Sequence, residues 1–264
     1  MRCHTDAIGA CLQTCAVPDF QNHLIAALPS HERKALLAAC ELVPLTLGEV
    51  LCEAASTLRH AYFPQSGFIS LVVTLDGKPS LEVGMVGAEG MLGATLALGV
   101  RTVPLHALVQ GEGHAQRITA VALHEQLDRS DALKALVDRY LHACMGQLAL
   151  ASACTRFHKI GPRLARWLLM SHDRCGSDTF HLTHEFIAYM LGVRRVGITQ
   201  AAEALQQQGL IAYRRGEITI IDRARLEALA CSCYEVNRRA ELTPGRSRVC
   251  GSRQTAPGHG PQTG

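Results

Sequence analysis

The stretch that decides the fold is LTHEFIAYMLGVRRVGITQAAEALQQQGLIAYRR, residues 182–215. Thr183 is a suitable N-cap for a first helix, and Gly192 ends that helix where a left-handed residue is often required. A second helix follows almost at once. Ala188 is small where the two helices cross, and Ile198 is apolar where they face each other. This spacing predicts a helix-turn-helix, whose second helix enters the major groove of DNA.

The outward side of the predicted second helix, residues 194–208, is polar and basic. It carries Arg194, Arg195, Thr199 and Gln200. Arginine can donate two hydrogen bonds to guanine, and glutamine can form a bidentate pair with adenine. These residue types on one helix face therefore predict contacts with base edges.

A short hairpin is predicted directly after the second helix. Residues 210–213 and 217–221 are β-type runs that flank an Arg-Arg-Gly tip. A helix-turn-helix followed by such a hairpin is a winged helix-turn-helix. The alternative is an ordinary helical hairpin with a solvated arginine pair, and the attached wing favours DNA binding over it.

The distribution of charge separates the two halves of the chain. Residues 155–225 contain 11 Lys and Arg against 6 Asp and Glu, whereas residues 20–130 contain 7 against 10. This distribution is expected of a protein that binds a polyanion through its basic carboxyl-terminal half and not through its mildly acidic amino-terminal half. At 264 residues, one or two domains are expected.

The 11 cysteines are scattered through the sequence. Residues 1–20 lack a basic start followed by an apolar core, so no secretory signal is predicted. Reduced thiols in a cytoplasmic protein are therefore expected. No run is long and apolar enough to predict a membrane span, so no membrane association is expected.

Three amino-terminal cysteines raise the alternative of an iron–sulfur cluster. Cys3, Cys11 and Cys15 could ligate such a cluster with a fourth residue from elsewhere. Their spacing matches no cluster motif, so free thiols in a flexible tail over residues 1–19 are the prediction. No cofactor is expected.

Further candidate metal ligands occur near the helix-turn-helix. His181 and His184 could hold an ion with Cys175, but their spacing fits no zinc pattern. Cys231 and Cys233 could form a redox pair. One intervening residue on a helix would point the two thiols to different sides, so free thiols and no metal site are expected.

Residues 20–128 are predicted to form a β-roll of the jelly-roll type. Short β-type runs recur there with turn signals roughly every 8–12 residues, and Asp76-Gly77 is a strong hairpin turn. Ser30 is a predicted N-cap in the helical segment that precedes the strands.

The longest predicted helix spans residues 131–157, with no proline and only Gly146 inside it. Apolar residues recur at three- and four-residue steps, which is typical of a coiled-coil seam. We expect a dimerisation helix over residues 129–157 that pairs with its twin from a second subunit, although packing on its own domain alone is the alternative. The seam consists of Leu133, Leu136, Val137, Tyr140, Leu141, Cys144, Leu148 and Ala151.

A hinge is predicted between residues 155 and 162, where Gly161-Pro162 interrupts the helical pattern. The winged domain then covers residues 158–234. Beyond Glu241 the sequence is rich in Gly, Pro and polar residues, and the tail over residues 235–264 is predicted to be disordered. The expected fold class is therefore α+β: a β-roll, a long dimerisation helix and a winged helix-turn-helix.

This order of elements resembles the Crp/Fnr family of bacterial transcription regulators. The resemblance covers about residues 22–234. Besides the helix-turn-helix, its most specific stretches are YFPQSGFISLV at 62–72, EVGMVGAEGMLG at 82–93 and ARWLLMSHDR at 165–174.

The resemblance implies DNA-contacting residues. Arg195 falls on the family's guanine-reading arginine, whereas Val196 replaces the usual base-reading glutamate and could touch a thymine methyl group. Thr199 or Gln200 stands where a second arginine is usual, so the operator need not be the family's best-known palindrome. The expected DNA-binding residues are Thr183, Arg194, Arg195, Val196, Thr199, Gln200, Arg214 and Arg215.

The same resemblance argues against cAMP as the effector. Cyclic-nucleotide members bind the phosphate with a Gly-Glu-Leu turn and an arginine, but Met91 replaces the glutamate and no arginine lies at residues 104–106. A buried phosphate without a guanidinium would be an unpaired charge. The corresponding pocket would be lined by Gly90, Met91, Leu92, Gly93, Leu105 and His106.

We therefore expect a homodimeric, sequence-specific transcription regulator that binds a near-palindromic operator. Its partners would be double-stranded DNA, a second copy through residues 131–157, an unidentified small-molecule effector and, as a candidate, RNA polymerase. A ligand or redox sensor based on thiols or an iron–sulfur cluster, with DNA binding secondary, is the alternative. No catalytic constellation is found, so an enzyme is not expected.

Overall fold

The computed structural model describes residues 21–75 and 80–241 of the chain. The predicted tail at residues 1–19 and the predicted turn at Asp76-Gly77 lie outside the described residues. The predicted fold class is confirmed: an antiparallel sheet is followed by a long helix and a carboxyl-terminal helix-turn-helix.

The amino-terminal half is built on one antiparallel sheet. Its strands are β1 (Glu41–Leu45), β2 (Val50–Cys52), β3 (His60–Val73), β4 (Leu81–Val86) and β5 (His106–Thr119). They are ordered β1-β5-β3-β4, and β2 pairs with β5. Side chains alternate along β3 and β5, so one face of the sheet can fill a core.

Three short elements contribute apolar residues to the same core as this sheet. They are α1 (His23–Ala26), α2 (Ser30–Ala38) and a 3₁₀ turn at Ala94–Leu98. The Asn22 side chain caps α1 and donates hydrogen bonds to the carbonyl oxygens of Pro64 and Gly90, at 3.0 and 2.7 Å. The N-cap prediction at Ser30 is wrong, because α2 begins at Ser30 and Pro29 occupies the cap position.

Two helices follow the sheet, α3 (Ala120–Arg129) and α4 (Asp131–Phe157). The bounds of α4 agree with the predicted long helix. Ser130 caps α4 by accepting a hydrogen bond from the Leu133 amide at 2.9 Å. The first turns of α4 pack on the roll, whereas Met145 and Leu148 in its second half are 70% and 45% exposed.

The interruption between α4 and the next helix lies within the predicted hinge at residues 155–162, but it does not fall at Gly161-Pro162. Helix α5 (Ile160–Cys175) contains Gly161 and Pro162 in its first turn, and the chain leaves α4 at His158-Lys159. Proline is tolerated in a first turn because the amide that it lacks would have no intrahelical partner there.

The winged domain comprises three strands and four helices after α5. They are β6 (Thr179–His181), α6 (His184–Leu191), α7 (Arg195–Gln207), β7 (Ile211–Arg214), β8 (Glu217–Ile220), α8 (Arg223–Leu229) and α9 (Cys233–Glu241). The strands form an antiparallel sheet ordered β6-β8-β7. The disorder prediction is wrong for residues 235–241, which belong to α9, and residues 242–264 lie outside the described part.

The roll and the winged domain share one apolar core. Phe68 and Met85 of the roll lie in the same buried cluster as Trp167 of α5 and Ile187 of α6. Burial of apolar area stabilises a fold by about 25 cal/mol per Å². The two domains are therefore held against each other by apolar contact and not by a linker alone.

Polar side chains reinforce this contact between the domains. The Trp167 indole donates a hydrogen bond to Glu82 of β4 at 2.9 Å. The Arg174 guanidinium lies 2.6 Å from a carboxylate oxygen of Glu89, and both side chains are largely buried. Burial raises the pKa of Glu82 to about 7, although hydrogen bonds from Ser70 and Trp167 and the charge of Arg166 oppose the shift.

Among the described residues, no helix combines the length and apolar character that crossing a membrane would require.

Glu82 predicts a pH-dependent stability. Because the folded-state pKa lies above the ordinary value of 4.5, its contribution to stability is full at low pH and is lost as the pH rises from about 4.5 to 7. We expect Glu82→Gln to raise the free energy of unfolding by about 1–3 kcal/mol more at pH 8 than at pH 5, as measured by urea denaturation. The exposed Glu125→Gln should change neither value, and equal effects of Glu82→Gln at both pH values would contradict the assignment.

Candidate DNA-binding surface

The turn between α6 and α7 is defined by its caps. The Thr183 hydroxyl accepts a hydrogen bond from the Phe186 amide at 3.1 Å, which begins α6. Gly192 ends α6 with φ of 62°, and the Val193 amide donates to the Ala188 carbonyl at 3.0 Å. A left-handed residue at this point is favourable only for glycine. The predicted cap, turn and crossing residues therefore have the expected local geometry.

Apolar packing fixes how α7 lies against its neighbours. Ile198 is completely buried, and Ala202 and Leu205 follow it on the same side of α7. Ile187 and Ala188 of α6 lie in the same cluster. Because these residues occupy the inner side of α7, its other side must face solvent.

The solvent-facing side of α7 presents the predicted DNA-contacting residues. Arg194 is the N-cap of α7 and Arg195 its first residue, and both are exposed. Val196 is 60% exposed, and Gln200 is exposed one turn later. Within residues 21–75 and 80–241, neither arginine forms an ion pair. The amino-terminal end of a recognition helix is the part that reaches base edges.

The wing carries a second pair of exposed arginines. Arg214 and Arg215 lie at the β7–β8 turn, where Arg215 and Gly216 have φ of 52° and 85°. Two consecutive residues with positive φ define a type I′ turn, which suits a two-residue hairpin loop. In the described part of the chain these two guanidiniums also have no acidic partner. The wing therefore projects two unpaired positive charges.

Thr199 differs from the other predicted base-reading residues because its hydroxyl is already bonded. The Thr199 hydroxyl donates a hydrogen bond to the Arg195 carbonyl at 3.2 Å. The same hydroxyl oxygen lies 3.1 Å from His184 Nδ1. The His184 ring stacks on Tyr213 of the wing, with ring centroids 4.1 Å apart. Thr199 thus connects α7 to α6 and, through His184, to the wing.

This role of His184 is missed by the sequence analysis, in which the residue is only a candidate metal ligand. Burial, followed by the charge of Arg195, lowers the pKa of His184. The ring is therefore favoured in its neutral form, which stacks on tyrosine without adding charge to the surface.

Three of the residues predicted for an effector pocket are buried, either in the roll core or against α4. Met91 and Leu92 are 2% and 7% exposed and belong to the roll core. Gly90 lies against Tyr140 of α4, so closely that an added Cβ would overlap the tyrosine hydroxyl. These three residues are therefore engaged in packing in the described structure.

Of the other effector-pocket residues, Gly93 is buried, whereas Leu105 and His106 lie closer to the surface. Gly93 has φ of 91° at the start of the 3₁₀ turn. Leu105 and His106 are partly exposed, and His106 Nδ1 lies 2.7 Å from a Glu53 carboxylate oxygen. Neither side chain supplies the guanidinium that a buried phosphate requires.

The structure brings together a different set of potential metal ligands from the trio considered in the sequence. Of the residues that it describes, the group close enough to hold an ion comprises Cys154, His158, Cys231 and Cys233. The expectation that Cys231 and Cys233 point to different sides is wrong, because Cys231 precedes α9 and both thiols point into this group. The predicted trio around His181 is not part of it.

Comparisons with known proteins identify the carboxyl-terminal domain. Residues 162–229 match the family model of the Crp-like helix-turn-helix domain. This segment is a Crp-like helix-turn-helix domain. A search of curated proteins found no match.

Solved structures of Crp/Fnr regulators match most of the chain. One is assigned to the Crp/Fnr family, from Eubacterium rectale, with TM-score 0.62 and 19% identity over 78% of this chain and 96% of that one. TTHB099, a Crp-family transcriptional regulator from Thermus thermophilus, has TM-score 0.59 and 23% identity over 72% and 97%. The c-di-GMP responsive global regulator CLP from Xanthomonas campestris has TM-score 0.59 and 16% identity over 73% and 99%.

These matches confirm the resemblance to the Crp/Fnr regulators in the fold and in the helix-turn-helix domain. At 16–23% identity the solved structures show the fold, and the family model shows the helix-turn-helix domain at residues 162–229.

Because the Thr199 hydroxyl is hydrogen-bonded within the protein, removing it should lower stability and leave base preference unaffected. Thr199→Val should lower the free energy of unfolding by about 0.5–1.5 kcal/mol, because it removes the hydrogen bond to His184 while keeping the side-chain shape. The order of preference among DNA sequences should stay unchanged, as measured by urea denaturation and competition binding. A changed base preference with unaltered stability would instead show that Thr199 reads a base.

Proposed function

We propose that the protein is a sequence-specific transcription regulator of the Crp/Fnr type that binds a near-palindromic operator as a homodimer. The observation that carries this proposal is the exposed face of α7, where Arg194, Arg195 and Gln200 stand without acidic partners in the described part of the chain. The Crp-like domain and the fold of the solved regulators support the same function.

The proposed contacts divide into two kinds. Arg195 and Gln200 lie on the exposed side of α7 and would read bases, and Val196 would lie against a thymine methyl group. The phosphate contacts would come from the start of α6, the start of α7 and the tip of the wing. Side chains there can reach the DNA backbone on either side of the groove. These contacts are assigned to Thr183, Arg194, Arg214 and Arg215.

The second half of α4 supports pairing with a second copy. Leu141, Met145 and Leu148 lie at positions i, i+4 and i+7, which fall on one face of a helix. Met145 and Leu148 are 70% and 45% exposed although they are apolar. Exposed large apolar side chains in a row are a feature of interfaces. A twin α4 would cover them, as expected for residues 131–157.

The geometry of a dimer then fixes the spacing of its operator. Two α7 helices related by a two-fold axis would enter successive major grooves, about 34 Å apart. The operator should consequently be near-palindromic. RNA polymerase is the further partner that this type of regulator implies. The effector would be a small molecule other than cAMP, because Met91 stands where cyclic-nucleotide members have a glutamate and no arginine lies at residues 104–106.

The two kinds of contact predict different mutant phenotypes. Arg195→Ala should cost about 1–3 kcal/mol on the operator and relax the preference at one base position, because a bidentate contact is lost. Arg215→Ala should weaken binding to all sequences alike and reduce the salt dependence, because a phosphate contact is lost. Competition binding at several salt concentrations measures both effects.

The matched control for these variants is Arg129→Ala, an exposed arginine on α3 that should leave DNA binding unchanged. An equal loss on every DNA for Arg195→Ala and Arg215→Ala would contradict the division of roles. Wild-type affinity of both variants would contradict DNA binding by this surface.

If the exposed apolar face of α4 pairs with its twin, one charged side chain introduced on that face should abolish dimer formation. Leu148→Glu should produce monomers in analytical ultracentrifugation, because two carboxylates would be buried face to face without partners. Operator affinity should fall by at least about tenfold as the second half-site contact is lost. Val121→Glu, at a more exposed apolar position on α3, is the control and should remain dimeric. A dimeric Leu148→Glu variant would exclude this face as the interface.

A further inference from the structure

Four potential metal ligands from distant parts of the chain meet beside the connection between α4 and α5. Cys154 lies in the last turn of α4, and His158 is the C-cap of that helix. Cys231 lies between α8 and α9, and Cys233 begins α9. One ligand atom from each residue lies within 4.8 Å of all the others. These four residues are called the hinge cluster below.

The distances within the hinge cluster suit one tetrahedral ion. The Sγ atoms of Cys154 and Cys231 are 3.6 Å apart, and Cys233 Sγ lies 3.5 Å from His158 Nδ1. Zinc binds sulfur at about 2.3 Å and nitrogen at about 2.0–2.1 Å, so the edges of a tetrahedral site are about 3.8 Å between two sulfurs and about 3.5 Å between sulfur and nitrogen. These two separations agree with the corresponding edges.

A disulfide does not account for this arrangement. Bonded sulfurs lie about 2.05 Å apart, well below the 3.6 Å between Cys154 and Cys231. A disulfide would also use two of the four side chains and leave the other thiol and the imidazole without a role. All four groups are explained together by a single ion with three sulfur ligands and one nitrogen ligand.

The positions of the ligands in the chain also favour a metal site. Cys154 and His158 are four residues apart at the end of α4, which places both on one side of the helix. Cys231 and Cys233 approach from a turn, where the Tyr234 amide donates to the Cys231 carbonyl at 2.9 Å. A pair on a helix and a pair on a turn can surround an ion from two sides.

The surroundings suit an anionic centre that excludes water. Cys154, Cys231 and Cys233 are 1%, 6% and 3% exposed and form a small buried cluster separate from the two main cores. Arg163 and Arg166 of α5 lie within electrostatic range of these cysteines. Each of these arginines has a buried Nε without a hydrogen-bond partner among the described residues.

We propose that Cys154, His158, Cys231 and Cys233 bind one Zn²⁺ ion that connects the end of α4 to the start of α9. Binding converts three thiols to thiolates and releases three protons, while the histidine binds as neutral imidazole. The centre then carries a net charge of −1, which the two arginines of α5 balance. With four protein ligands and no open position, the ion is structural and not catalytic.

The location gives this ion a mechanical role. The chain passes from α4 to α5 at His158-Lys159, beside the ligands. The ion therefore joins the helix proposed for dimerisation to the carboxyl-terminal end of the winged domain. It limits rotation between them and so fixes where α7 points. Zinc binding does not depend on the proposed function, but its effect on DNA binding does.

The first test is metal analysis of the full-length protein purified without chelator. Mass spectrometry of the metal content should find one zinc per chain. Cobalt should replace it and give the absorption bands of tetrahedral sulfur-ligated Co²⁺. Cys154→Ser and His158→Ala should lose the metal, whereas His158→Cys should retain it, because a thiolate can replace the imidazole.

Matched controls separate this site from the other cysteines. Cys144→Ser changes a thiol on the same helix, about 15 Å away along the axis, and should keep the zinc. A variant with Cys3, Cys11 and Cys15 all changed to Ser should also keep it. If Cys154→Ser fails to fold, the wild-type protein still decides the question, since chelation followed by cobalt titration should saturate at one ion per chain.

Several outcomes would overturn the proposal. They are an absence of zinc together with no uptake of cobalt, iron in place of zinc, a disulfide between Cys154 and Cys231 in the unreduced protein, or loss of zinc from the amino-terminal triple variant. Chelation of the wild-type protein should weaken operator binding about tenfold, reversibly. Unchanged DNA affinity with the zinc removed would overturn the mechanical role alone, and zinc binding without any DNA binding would contradict the proposed function alone.

Discussion

The crossing of α6 and α7 determines what this protein can present to a partner. Gly192 makes the turn with a backbone conformation that other residues adopt only at a cost, and Ile198 fills the space between the helices. Together they fix which side of α7 is buried. The arginines at its amino-terminal end are exposed as a consequence of this packing, and the proposed DNA contacts depend on it.

Helix α5 relates this unit to the rest of the chain. Its Trp167 and Arg174 contact Glu82 and Glu89 of the roll, so the winged domain lies directly against the sheet. A change in the roll that moved β4 would therefore move α5. The hinge cluster lies at the other end of α5, where the long helix arrives. These two contacts are the places where a signal could alter the position of α7.

Local signals in the sequence predict much of the fold. The bounds of α4 follow from the Ser130 cap and an uninterrupted apolar repeat, and the helix-turn-helix follows from the spacing of Ala188, Gly192 and Ile198. Each signal acts within a few residues. Prediction fails where a residue's environment comes from elsewhere in the chain: Thr199 bonds to His184 on another helix, and Cys154 meets Cys231 across 77 residues. The break expected at Pro162 is wrong for a different reason, because proline interrupts helix interiors but not first turns.

The central claim is that two copies of α7 read one symmetric site. Selection of bound DNA from a random pool by the full-length protein tests it most directly. The account predicts enrichment of a near-palindromic sequence whose half-site centres lie one helical turn, about 34 Å, apart. Enrichment of a single asymmetric half-site, or no enrichment of any sequence at moderate salt, would contradict it.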